Sequence, residues 1–322
     1  MHRLSTNNEE VIKMKKSILR RLLPAALNIL LIVAIAGCGT TGTPAGTESS
    51  RPNESAQTVD KIRIGLAPDE DTAAILKKYD PFIKHLSEST GMEVEPYVGA
   101  DYTAVIEALN SGHLDVAWFG PSEYILATEA VKSGVEAFAS AIQAEGTIAY
   151  KSSFIVRADS GIETLEDLKG KTLAFTDPAS TSGHIFGRYS LIQEGYEPEE
   201  FFRQVIYSGS HDACLLAVKN NQVDAAAISS RKLPGFIESG LVEEGEIKII
   251  FESVEIPADP VTYRTDLPQD VKDKIKAAFL ENTPELAASL EGTGFGKFAV
   301  VNDKDYDLVR EAYKAAGLEP EL

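Results

Sequence analysis

The side chains best suited to chemistry in this chain lie in the run Phe175-Thr-Asp-Pro-Ala-Ser-Thr-Ser-Gly-His184. It reads as a strand end, a turn at Pro178, and three hydroxyl residues at the entrance to a helix. The first N–H groups of a helix have no intrahelical acceptor, and hydroxyls beside them add neutral donors. Such a place can hold a small oxyanion without a cation. One serine suffices for a helix cap; Ser180, Thr181 and Ser182 in succession exceed that need. His211, in Gly209-Ser-His-Asp212, and Tyr102 add an imidazole and a phenol, each able to donate to a phosphoryl oxygen. Near neutrality His211 could also match the protonation state of a ligand.

The elements that would position these groups are visible because the chain compares with itself. Lys61-Ile-Arg-Ile-Gly-Leu-Ala-Pro68 aligns with Lys171-Thr-Leu-Ala-Phe-Thr-Asp-Pro178, and Ala108-Leu-Asn-Ser-Gly-His-Leu-Asp-Val-Ala117 with Ala217-Val-Lys-Asn-Asn-Gln-Val-Asp-Ala-Ala226, at nearly the same offset. Each unit alternates strands with helices, which predicts βαβ units and an α/β fold of two lobes, each a mixed, mostly parallel sheet flanked by helices. Residues 102–110 place Val105, Ile106 and Leu109 on one helix face; residues 182–194 do so with Ile185, Phe186, Tyr189 and Ile192. Residues 154–157 and 252–262 fall between the halves and are expected to cross between them. Helices at 268–280 and 304–317 are expected to return over the first lobe. The predicted division is 59–155 for the first part of lobe 1, 156–252 for lobe 2, and 253–322 for the return to lobe 1.

Ligands of open α/β sheets bind beyond the carboxyl ends of the strands, so two such lobes place a cleft between those ends. After its first strand lobe 1 continues Asp69-Glu-Asp-Thr72, whereas lobe 2 continues Ala179-Ser-Thr-Ser182. Carboxylates at a helix mouth repel an anion and hydroxyls do not, so lobe 2 is expected to hold it. Tyr102 and His211 begin aligned helices and should face each other across the cleft. His113 and His184 have no such support and read as turn or helix residues. Trp118 and Phe119 either wall the cleft or pack in the core.

Ahead of the fold, Lys13, Lys15, Lys16, Arg20 and Arg21 precede a short apolar run over 22–36 that ends Ile35-Ala36-Gly37-Cys38. This reads as a lipoprotein signal peptide, 1–37, with lipid carried on Cys38 and a cell-membrane anchor on the extracytoplasmic face. Residues 38–58, rich in Thr, Gly, Pro and Ser, read as a flexible tether. The 322-residue chain has 31 Lys+Arg against 49 Asp+Glu, a net charge of −18. That balance argues against nucleic acid as a partner, and means that an anionic ligand is held by local dipoles. Apart from Cys38 the sequence has one cysteine, Cys214, beside Ala213, Leu215 and Leu216; it reads as a small buried hydrophobe. Five scattered histidines supply no metal-ligand cluster, and no cofactor or metal is expected.

The sequence resembles the periplasmic substrate-binding proteins (type II fold) of phosphate, phosphite and phosphonate ABC importers, over about residues 62–317. The resemblance rests on Tyr102, Asp115-Val-Ala-Trp-Phe-Gly-Pro121, Tyr150 with Ser152-Ser153, Leu165-Glu-Asp-Leu-Lys-Gly-Lys171, Asp177-Pro-Ala-Ser-Thr-Ser-Gly-His184, Gly209-Ser-His-Asp212 and Ile256-Pro-Ala-Asp-Pro260, taken in this order. It implies that Tyr102, Tyr150, Ser180, Thr181, Ser182, His211 and Asp259 surround a small phosphorus oxyanion in the interlobe cleft. It further implies a monomer that delivers this ligand to ABC permease subunits. An aspartate beside an anion is physically reasonable only with a proton from the ligand or from His211. In members that take aminoalkyl phosphonates a carboxylate near the counterpart of Ser230-Arg231 meets the amine; Arg231 departs from that and turns expectation toward phosphite, phosphate or a short alkylphosphonate. Two other functions fit parts of the sequence. A secreted hydrolase of phosphate esters would use Ser180 or Ser182 with His211 and Asp212, but there is no Gly-x-Ser-x-Gly elbow, and Asp212 adjoins His211. A lipid-anchored ligand sensor would present the same cleft to a different membrane partner.

Overall fold

A computed structural model describes residues 59–321. The expected signal peptide, Cys38 and the tether lie outside the described residues. Among the described residues no helix is long and apolar enough to cross a membrane.

The chain first builds β1 (Lys61–Leu66), α1 (Thr72–Thr90), β2 (Glu93–Val98), α2 (Tyr102–Asn110), β3 (Val116–Trp118), α3 (Pro121–Ala130) and β4 (Val135–Gln143). It then builds β5 (Ser152–Arg157), β6 (Thr172–Phe175), α4 (Phe186–Gln193), β7 (Gln204–Tyr207), α5 (His211–Lys219), β8 (Ala225–Ser229), α6 (Lys232–Glu238) and β9 (Ile247–Glu252). The return comprises β10 (Pro260–Arg264), α7 (Gln269–Leu280), β11 (Phe295–Val300) and α8 (Asp307–Ala315).

These strands form two sheets, ordered β11-β4-β10-β3-β1-β2 and β7-β6-β8-β5-β9. Read from β2 and from β7, the orders β2-β1-β3-β10-β4 and β7-β6-β8-β5-β9 follow one plan, which is the internal alignment in three dimensions. The sheets are mixed but not mostly parallel. Parallel pairing is confined to β1 with β2 and β3, and to β6 with β7 and β8; β10 and β5 pair antiparallel with their neighbours. The reason is the route of the chain. β5 enters the second sheet from the first lobe and β10 enters the first from the second, so neither is reached through a βαβ crossover.

That route also corrects the expected boundary at 155. All of 152–157 pairs within the second sheet, so the crossing segments are 144–151 and 253–259. They are joined by an isolated antiparallel bridge between Tyr150 and Ile256, whose backbones exchange N–H bonds of 3.1 and 2.7 Å. Helix α7 covers the first sheet, as expected, against α1, β4 and β11. Helix α8 does not simply cover that lobe; it packs against α3 and α4, one from each lobe, and Arg188 Nε donates to Ala316 O at 3.0 Å.

The cores follow the same division. Ile62, Ile64, Phe82, Trp118, Phe279 and Phe298 centre the first lobe. Alternation along the central strands of the second sends Phe154, Leu173 and Phe175 to one face and Ile155, Ala174 and Ile228 to the other, the latter with buried Cys214. Burial raises the Cys214 thiol to about 11, which keeps it an unreactive core group. A further cluster joins the lobes beneath the cleft, through Val105, Phe119, Tyr150, Phe186, Ile256 and Val309.

Candidate ligand-binding site

Between the lobes lies a cavity of about 1170 Å³ whose wall includes Tyr102, Tyr150, Ser180, Thr181, Ser182, His211 and Asp259. Local chemistry explains each position. Pro178 and the Asp177 carboxylate, which accepts Ala179 N–H at 2.8 Å, turn the chain out of β6. Ser180 then caps a π-helical turn, Thr181–Ile185, by accepting Gly183 N–H at 3.2 Å, and α4 follows. The N–H groups of Thr181 and Ser182 precede the first intrahelical bonds of this turn, the position of orphan donors. All three hydroxyl residues are buried. Capping therefore uses Ser180, and Thr181 Oγ1 accepts Ser122 N–H from α3 at 2.9 Å. Ser180 Oγ and Thr181 Oγ1 thus each accept one backbone N–H, and each keeps its own O–H as a donor.

Gly183 admits no side chain. A Cβ there would stand 2.1 Å from Thr176 Oγ1. The close approach matters because Thr176 Oγ1 holds His211 Nδ1 at 3.1 Å, leaving Nε2 as the free ring nitrogen. His211 opens α5 behind its cap Ser210, as Tyr102 opens α2 behind Asp101. Burial first, then Lys232, push the His211 pKa down to about 3, so the ring is neutral at pH 7. The Tyr102 hydroxyl is buried with no partner in the protein. Its pKa is raised well above the ordinary value by burial, so it is a donor and not a phenolate.

Tyr150 sits at the bridge between the crossing segments, and the Arg231 guanidinium lies 3.8 Å from its ring centroid. Arg231 Nη2 also meets Asp259 Oδ2 at 2.5 Å, with both side chains largely buried. The counter-charge that Asp259 meets in this structure is the Arg231 guanidinium, a partner that the sequence did not reveal. Asp259 Oδ1 is left buried and unpartnered.

The acidic turn of the first lobe is likewise occupied. Asp71 caps α1 through Ala74 N–H at 3.0 Å, whereas Asp69 and Glu70 reach Lys232 Nζ at 2.7 and 2.5 Å. Sequence reasoning missed Lys232. Its only signal was adjacency to Arg231, and a cross-cleft ion pair has no sequence period. His184, set aside earlier, bonds Pro178 O and the Tyr207 hydroxyl, and burial lowers its pKa to about 4. His113 bonds Ser111 in a turn. Trp118 both lines the cavity and packs among Tyr79, Phe82, Phe295 and Phe298. Neither serine of a hydrolase arrangement is paired with a base: Ser180 caps the turn, and Asp212 contacts Ser210 in place of His211. Among the described residues no group of acidic, His or Cys side chains has the arrangement of a metal site.

Two sheets of one plan, two crossing segments and a cavity between facing strand ends define a type II periplasmic binding protein. The sequence profile of the family described as "ABC transporter, phosphonate, periplasmic substrate-binding protein" matches residues 64–306, and the chain belongs to that family. It is 31% identical over 257 residues to the phosphonates-binding periplasmic protein of Escherichia coli, covering 78% of this chain and 75% of that protein. It is 30% identical over 277 residues to the phosphate-import protein PhnD of Mycolicibacterium smegmatis, covering 80% and 86%. A crystal structure of a binding protein component of an ABC phosphonate transporter from Pseudomonas aeruginosa superposes with a TM-score of 0.75 at 27% identity, covering 80% and 86%. The protein is thus an extracytoplasmic substrate-binding component of an ABC importer. It binds a small molecule for permease subunits and is not an enzyme.

Proposed function

We propose that the lobes close on a small phosphorus oxyanion, that Tyr102, Tyr150, Ser180, Thr181, Ser182, His211 and Asp259 form its site, and that phosphite, phosphate or a short alkylphosphonate is the ligand. The observation that carries this reading is the convergence in one cavity of the Tyr102 hydroxyl, buried without a partner, with the orphan amides of the Ser180–Ser182 turn and the O–H donors of its three hydroxyl residues. Neutral donors of this kind suit an oxyanion in a chain of strongly negative net charge. The substituent follows from Arg231. It already occupies Asp259 and the face of Tyr150, so an ammonium-bearing ligand would have to displace a paired guanidinium. The names of the Escherichia coli and Mycolicibacterium relatives, phosphonate-binding and phosphate-importing, support the ligand class. Lipid on Cys38 would keep this monomeric protein beside its permease.

Calorimetry with phosphite, phosphate, methylphosphonate and aminoethylphosphonate tests the reading. Binding of at least one of the first three, and weaker or no binding of the amine, is expected. Binding of none of the four would sink the ligand class.

A further inference from the structure

One carboxyl group on the cavity wall is not accounted for by these residues. Glu123 is the third residue of α3, a helix whose start lines the cavity, and it is 1% exposed. Its Oε2 accepts Gly120 N–H at 2.7 Å, an ordinary capping bond. Its Oε1 is buried and has no partner in the protein. A Cβ on Gly120 would stand 2.9 Å from Thr181 Oγ1 and 3.0 Å from Glu123 Oε2, so the carboxyl and the Thr181 hydroxyl flank the same glycine. Capping explains one oxygen; the other, on a residue of the cavity wall, has no partner among the described residues.

The titratable groups near enough to act on Glu123 electrostatically are acidic or phenolic: Asp177 from the turn after β6, Asp259 ahead of β10, Asp69 from the turn after β1, Tyr102 from α2, and Tyr313 from α8. Arg231 and Lys232 are held by Asp259 and by Asp69 with Glu70, and among the described residues no cation pairs with Glu123. Ionised, it would be a buried charge facing three like charges, and a helix N-terminus offsets only part of that penalty. Burial, with Asp177, Asp259 and Asp69 adding to it against the Gly120 N–H, holds its pKa well above the usual carboxylate range. A buried carboxylic acid has an O–H that must find an acceptor.

We propose that Glu123 is an additional ligand-binding residue of the oxyanion site, its protonated carboxyl donating to an oxygen of the bound anion from the first lobe, beside Tyr102. A single proton then lies between the two oxygens, and a carboxyl adjoins an anion without adding a second bare charge. This rests on the reading of the cavity as a phosphorus-oxyanion site.

Calorimetry of the wild type and of Glu123→Gln, Glu123→Asp and Glu123→Ala with phosphite and methylphosphonate at pH 7 tests it. Gln keeps a neutral donor and a capping oxygen, and its affinity is expected within about threefold of wild type, whereas Asp withdraws the O–H and Ala removes it, each losing about tenfold or more. Melting curves accompany the series, because Ala also loses the cap; Asp carries the test should Ala not fold. Wild-type affinity in Glu123→Asp or in folded Glu123→Ala overturns the assignment. A loss in Glu123→Gln as large as in Glu123→Asp overturns the donor role, since a carboxylate would then be the required form. A wild type that binds neither anion overturns both this proposal and the reading beneath it, whereas a binding wild type with indifferent variants overturns this proposal alone.

Discussion

The turn after β1 and the turn after β6 hold the same place in the two sheets and have opposite contents. Each brings a helix N-terminus to the cleft. In the first, Asp71 closes the helix start and Asp69 and Glu70 are tied to Lys232. In the second, Ser180 closes the turn while Ser182 and two amides are left over. The shared topology supplies unpaired amides at both strand ends; the side chains decide whether the protein or a ligand satisfies them. One turn became a clasp between lobes; the other is the cradle we propose for the ligand.

The cradle is where the comparison breaks most easily. Ser182→Ala with His211→Ala removes two donors to a charged group, each worth about 1.5–3 kcal/mol, so affinity should fall between about a hundredfold and ten-thousandfold. Titration calorimetry with the best of the four ligands measures it. Unchanged affinity would place the anion elsewhere in the cleft.

Tyr102 and His211 open equivalent helices, but only His211 titrates in the acid range. Its pKa in the fold, about 3, lies below the ordinary 6.5, so between these values the unfolded chain binds the extra proton. Stability from this residue is complete above about pH 6.5 and is lost as pH falls toward 3, by at most about 1.4 kcal/mol per pH unit. His211→Asn should flatten that slope in denaturant melts at pH 4–7. A variant as acid-sensitive as the wild type would show that the buried imidazole is not the cause.

Much of this was legible in the sequence, for physical reasons that differ by element. Helix α2 has the bounds that its sequence predicts, 102–110, because Asp101 caps it and the apolar spacing is regular. The paired plan of the sheets showed because both lobes need the same strand ends and turns. Antiparallel β5 and β10 escaped notice because strand direction depends on where the chain crosses, which apolar periodicity does not encode. In the site, local motifs such as Ser180–Ser182 stood out, whereas contacts between distant segments did not: Lys232 with Asp69, and Arg231 with Asp259, are separated by many residues. Glu123 was hidden for another reason, since Gly-Pro-Ser-Glu reads completely as a helix cap.

Arg231 sharpens the comparison by asking what the cradle admits. Arg231→Ala frees Asp259 and the Tyr150 face, so aminoethylphosphonate should gain about tenfold relative to methylphosphonate, the scale of one exposed-to-buried ion pair exchanged for another. Competition calorimetry reads the ratio. No change in it would mean that the guanidinium does not select the substituent.

The clasp should give the smallest effect, and its size follows from how the charges are shared. Lys232 crosses from α6 to the first lobe with its side chain 16% exposed, so this is neither a solvated pair nor a fully buried one. Removing one partner of a buried pair costs about 3–5 kcal/mol because the other charge is stranded. Here Glu70 keeps Lys78 at 2.7 Å, and Asp69 is partly solvated, so neither carboxylate is fully stranded. Lys232→Met, which keeps the apolar stem, should therefore weaken ligand affinity by about 1 kcal/mol, roughly fivefold. The loss should fade as salt is raised, because the wild-type clasp is screened and the variant has none to screen. Equal affinity in Lys232→Met and wild type at low salt would show that the acidic turn, despite its ion pairs, contributes nothing to closure.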